Sequence, residues 1–201
     1  QIWLLARLPE QRILGDKIQD YICFTNTHDG TGAVRACMTS TRVVCANTLS
    51  IALNGADRMW SVRHTGNIQE KVQAAQETLR MATNYNLELD KFANEIVEKK
   101  FDEMDVKQIV FDELFPINEN EMSNRKMTNE FANRQYFMSC YNASDIKKFQ
   151  GTGWGIINAA ADFVSHYTPA RMTKTFEQNR FGSIINGNNI LNDVYKIVTA
   201  A

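Results

Sequence analysis

An apolar run and two segments that alternate with period two occupy the first forty residues, and helical spacing prevails over most of the rest. Residues 2–8, "IWLLARL", carry a single charge, Arg7, in an apolar run and predict a strand with neighbours on both faces. "LPEQRILGDKIQ" reads as a polar connection. "DYICFTNT" predicts a second strand, with Ile22 and Phe24 on one face and Tyr21, Cys23 and Thr25 on the other. "HDGTG" is a turn, because its Asp-Gly step supplies a residue that accepts positive φ. "AVRACMT" predicts a third strand, with Val34, Ala36 and Met38 alternating against Arg35 and Cys37. Thr39 or Ser40 is then placed to cap a helix through about Leu53, apolar nearly all round and closed by Asn54-Gly55.

From about Asn67 the period is helical. Val72, Leu79, Ala82, Leu89, Phe92 and Ile96 recur on one side, with Glu and Lys between them. Asp105 is placed to cap the next helix, "VKQIVFDELF", which Pro116 stops. Further helices are expected around Phe131–Cys140, after the glycine turn at 151–155 and before Pro169, and over Ile190–Val198. The pattern predicts an α+β fold: a three-stranded antiparallel meander leading into a buried helix (residues 1–66), then a mainly helical part (67–201) packed on it as one continuous domain.

The length, 201 residues, allows a real core, and no apolar run is long enough to span a membrane. The chain opens at Gln1 on an apolar segment, so further residues are expected upstream. Its net charge of −1 conceals an uneven distribution. Residues 1–67 carry seven Lys/Arg against five Asp/Glu, residues 68–121 six against thirteen, and residues 122–201 nine against five. An acidic middle between basic flanks can direct a polyanion to one side of the molecule, or serve as a solvated helix face.

Candidate chemistry is sparse. Cys23, Cys37, Cys45 and Cys140 lack C-x-x-C spacing and read as reduced buried thiols of a cytosolic protein, with no metal site expected. His28 and Asp29 are explained by the turn, and His166, ahead of a proline, reads as structural. "GTGWG" at 151–155 lacks both the lysine of a P-loop and the spacing of a dinucleotide fold; its glycines also suit close helix approach, with Trp154 docked in the core. There is no H-E-x-x-H, no G-x-S-x-G and no acidic two-metal cluster, so no catalytic residue and no cofactor is expected. Arg42 and Asn47 are the polar residues of the predicted buried helix. A buried guanidinium needs partners, so Arg42 meets either acids inside the protein or an anion in a groove.

The runs "DYICFTNTHDGTGAVRACMTSTRVVCANTLSIAL", "VRHTGNIQEKVQAA", "GTGWGIINAAADFVSH" and "RFGSIINGNN" together resemble the phage/plasmid-like protein family, a family of unknown function, nearly throughout the chain. The resemblance implies a mobile-element origin and residence in the cytoplasm of a bacterial host. It carries no activity with it, and therefore no catalytic residue. Three antiparallel strands leading into a central helix are also similar in topology to single-strand annealing proteins of the Redβ and RecT type. Those proteins form rings or filaments that lay single-stranded DNA along a basic groove. That similarity implies Arg35, Arg42, Arg58, Arg63 and His64 as backbone contacts, with Lys147 and Lys148 on a second lip and Tyr21 or Trp60 available for stacking. The function expected is therefore non-catalytic: single-stranded DNA binding and annealing in recombination, by a homo-oligomer. A second expectation is a module that inhibits or recruits a host protein through the acidic middle helix.

Overall fold

A computed structural model of the protein describes residues 2–26, 34–44, 47–49, 59–62, 68–167, 176, 179 and 188–201. The chain begins with a six-stranded antiparallel sheet and continues as helices, an α+β architecture with a helical C-terminal part. Strands β1 (Ile2–Arg7), β3 (Asp16–Asn26) and β4 (Val34–Arg42) lie side by side as the expected meander, but β1 is an edge strand with Leu4 and Leu5 exposed and is not covered on both faces as its apolar run implied. β2 (Gln11–Ile13) runs along the same edge of β3 as β1. On the other side, β5 (Asn47–Leu49) and β6 (Met59–Val62) pair with the two ends of β4.

Two parts of the sheet depart from the sequence pattern. The connection after β1 contains β2, joined to β3 by a two-residue turn in which Leu14 and Gly15 both have positive φ, 50° and 85°. That turn geometry matches the twist of a hairpin, but leucine rarely adopts it, so only Gly15 signals it. The second departure is the helix expected from Thr39 or Ser40 to Leu53. Instead, β4 continues to Arg42, Val43 and Val44 turn, and Asn47–Leu49 return as β5; residues 45–46 and 50–58 lie outside the described residues. The run "TSTRVV" explains the change. Its four β-branched side chains lose rotamer freedom in a helix and pack well on a pleated surface.

The helices are α1 (Ile68–Glu98), α2 (Glu103–Gln108), α3 (Asn124–Tyr141), α4 (Gly153–His166) and α5 (Asn189–Ala200). In α1, Ala82, Leu89, Phe92 and Ile96 are buried as their spacing predicts, together with Met81 and Tyr85. Leu79 is not: it is 61% exposed, and Thr78 is buried beside it instead. Helix α2 is capped by Asp102 rather than Asp105; Asp105 closes the capping box by accepting from the Asp102 backbone N–H. The chain then widens into a π-helix, Ile109–Leu114, whose end is secured by Arg134 donating to the carbonyls of Phe111 and Phe115.

A centrally buried helix does exist, but it is α4. Trp154 through Ala161 and Phe163 are all buried, and the helix packs against α1, α3, α5 and β5. Gly155 makes this possible, since a Cβ there would collide with the Phe149 carbonyl. The "GTGWG" segment thus serves close packing, with Trp154 only 1% exposed. Ile18, Ile22, Ala36 and Met38 from the sheet join Leu89, Ile96, Trp154 and Ile157 in one apolar cluster. These positions define the inner face of the sheet.

Candidate nucleic-acid interface

Arg42 ends β4 on the inner face, in register with Ile18 of β3. Its guanidinium is 1% exposed and its charge is balanced within the protein. Nε donates to Asp16 at 2.6 Å, one terminal nitrogen donates to the Asp145 carboxylate at 2.8 Å, and the other to the Asp145 carbonyl at 2.7 Å. Lys148 joins the same network through Asp16 at 2.5 Å, and its ammonium lies 4.7 Å from the centre of the Phe149 ring. The alternatives for Arg42 are thereby decided in favour of acids. Breaking such a buried pair leaves an uncompensated charge, so the network fixes the Lys147–Phe149 turn to the end of the sheet.

Asp20 lies deeper on the same face. It is fully buried and accepts hydrogen bonds from the Ser40 hydroxyl and, at 2.8 Å, from Gln11 Nε2. Burial outweighs these bonds and raises its pKa above the usual carboxylate range. Another acid, the half-buried Asp162 of α4, lies beside the Cys140 thiol, and His166 Nε2 is 3.6 Å away. Cysteine, aspartate and histidine here do not form a nucleophilic couple. Burial and then the Asp162 charge drive the Cys140 pKa upward, so the thiol stays protonated. Asp162 itself is pushed up, chiefly by burial.

The outer face of the sheet has a different character. Strand alternation places Leu5 and Arg7 of β1, Gln19, Tyr21, Cys23 and Thr25 of β3, Arg35, Cys37, Thr39 and Thr41 of β4, and Met59 and Ser61 of β6 on it. Its middle is floored by the buried small residues Cys23, Thr25, Cys37 and Thr39. The surrounding side chains stand out: Leu5 is 55% exposed, Met59 is 42% exposed, and Arg7 and Arg35 are both exposed. Tyr21 is half-buried between Arg7 and Thr39 in the same row. Arg7 Nε donates to Gln19 Oε1 at 2.6 Å, which orients the guanidinium. Gln19 is in turn held by the carbonyls of Leu8 and Asp20. Four residues along β3 and two strand spacings across put the backbone of the two arginines roughly 16 Å apart.

The residues expected to contact nucleic acid therefore do not form one patch. Arg35 is exposed on the outer face, whereas Arg42 is sealed beneath the inner face. Lys148 is half-exposed but tied to Asp16, and Lys147 is exposed beside it, both on the inner side with Arg42. Trp60 pairs with Ala36 on the inner face and packs against the core. Arg58, Arg63 and His64 lie outside the described residues, as does the turn containing His28. Arg7 joins the outer-face residues, and its signal in the sequence is a lone cation alternating with Leu5 on an edge strand.

The model of one family, described as "Domain of unknown function (DUF932)", matches residues 1–185. No curated protein matches the chain. No solved structure does either. The match spans most of the chain, from the sheet through α4, and the protein belongs to this domain family of unknown function.

Proposed function

We propose that the outer face of the sheet binds single-stranded nucleic acid, and that the protein is a non-catalytic single-stranded DNA-binding and annealing protein. It acts in recombination of phage or plasmid DNA, in the cytoplasm of a bacterial host, as a homo-oligomeric ring or filament. The observation that supports this reading is the arrangement of Arg7, Tyr21 and Arg35 around a floor of small residues. Two cations this far apart suit non-adjacent phosphates of one strand, and a half-buried aromatic between them suits stacking on a base. Leu5 and Met59 add apolar surface in the row between them. Assembly has a candidate route at β1, which pairs only with β3 among the described residues and exposes Leu4 and Leu5.

The test is equilibrium binding of a fluorescent single-stranded oligonucleotide at low salt. Wild type binds, and the Arg7→Ala/Arg35→Ala variant binds about tenfold more weakly, equivalent to about 1.4 kcal/mol. Absence of binding by wild type, or equal binding by the variant, contradicts the reading.

A second reading has its own observation. Leu79 and Leu87 of α1 are 61% and 65% exposed within the acidic third of the chain, a combination suited to docking a basic host protein. Replacing Glu95 and Glu98 with lysine leaves the Asp102 cap intact and abolishes capture of such a partner if α1 is the docking surface. Capture at wild-type level by that variant rules α1 out.

A further inference from the structure

Cys23 and Cys37 sit directly opposite each other at the centre of the two longest strands. Both are reduced thiols, each 1% exposed, and the two are hydrogen-bonded to one another. The ladder fixes their spacing. Val43 N–H donates to the Lys17 carbonyl, and hydrogen-bonded pairs recur at every second residue, so Cys23 and Cys37 also form a hydrogen-bonded pair. The Cα atoms of such a pair are about 5.5 Å apart. A disulfide spans about 4.4–6.8 Å between Cα atoms, so the two thiols can join with little backbone movement. Cys140, by contrast, lies in α3 beside Asp162 and faces no second cysteine among the described residues.

We propose that Cys23 and Cys37 form a reversible dithiol–disulfide site on the outer face of the sheet, oxidised by hydroperoxides. It is independent of the nucleic-acid reading and can stand without it. In the first step the Cys23 thiolate attacks a peroxide oxygen; the O–O bond breaks, a sulfenic acid forms, and the leaving oxygen takes up the proton that Cys23 released, departing as water from hydrogen peroxide or as an alcohol from an organic hydroperoxide. In the second step the Cys37 thiolate attacks the Cys23 Sγ and displaces the hydroxyl as water. Overall, two thiols and one hydroperoxide give one disulfide; for hydrogen peroxide the other product is two waters. The hydrogen bond from Cys37 lowers the Cys23 pKa against the opposing effect of burial, which makes Cys23 the attacking thiol. Both thiols are 1% exposed, so a peroxide reaches them only when the side chains around the floor move aside, Leu5 of β1 and Met59 of β6 in the same row among them.

The experiment treats the native full chain with hydrogen peroxide, then measures thiol content, intact mass and tryptic peptides without reduction. The expected result is loss of two of the four thiols and two hydrogen atoms. The Cys23-bearing peptide is then linked to the Cys37-bearing peptide within one chain, and dithiothreitol restores both thiols. Cys140→Ser leaves this cross-link unchanged. Cys37→Ser stops the reaction at a Cys23 sulfenic acid trapped by dimedone. A link to Cys45 or Cys140, a link between chains, over-oxidation without a link, or retention of all four thiols overturns the proposal. Because peptide mapping is done on wild type, the result does not depend on whether the variants fold.

Discussion

At the scale of single residues, partners distant in sequence set the role of each charge. Arg42 has its acids 26 and 103 positions away, at Asp16 and Asp145, and no local pattern discloses such a pairing. Arg42→Ala takes the guanidinium from Asp145 and leaves Asp16 with Lys148 alone, and costs about 3–5 kcal/mol, measured by urea unfolding. A loss below about 1 kcal/mol would show that water reaches the site. Asp20 makes a prediction of opposite character. Its pKa is raised by burial in the folded state, so the folded protein holds this proton more tightly than the unfolded chain. The stabilisation is present in full below the ordinary carboxylate range and is lost as pH rises through the elevated value. Asp20→Asn therefore flattens the decline in stability between about pH 4 and neutrality, which thermal unfolding across that range measures. An unchanged pH profile would show that Asp20 is ionised at no cost. Arg35 shows the reverse of Arg42, since alternation alone places it on the face opposite Ala36 and Met38.

At the scale of elements, period was informative wherever a segment had two distinct sides. β3 and β4, the buried stripe of α1 and the extents of α4 and α5 follow from apolar spacing, whereas β1 is legible only as an apolar run. The segment after Met38 had no distinct sides, and a short run that is apolar all round fits a strand as well as a helix. Its β-branched content favoured the strand, which is the signal that separates the two cases. β2 escaped because three residues give too short an alternation, and because its turn begins with a leucine. Inside α4 the glycines carry the packing information. Gly155→Ala would press a methyl group on the Phe149 carbonyl, whereas Gly153→Ala would meet mainly the movable Ile96 side chain at 2.8 Å. Both substitutions destabilise by about 1–3 kcal/mol, with Gly155→Ala the larger, as chemical denaturation will report. Equal stability of Gly155→Ala and wild type would mean that α4 sits farther from the Lys147–Phe149 turn.

At the scale of the whole molecule, the sheet divides the chain's cations into two groups. Arg42 and Lys148 hold the helical part to the inner face, while Arg7 and Arg35 are exposed on the outer face. The acidic third of the chain lies in the helical part, so a polyanion is favoured at the sheet rather than along α1. The most direct measurement is the salt dependence of single-stranded oligonucleotide binding by wild type and by Arg7→Ala/Arg35→Ala. Each phosphate contact contributes about 0.7 to the slope of log affinity against log salt. Loss of both arginines should therefore make the slope less steep by about 1.4. The same slope for both proteins, or affinity that does not respond to salt, would contradict binding at the outer face of the sheet.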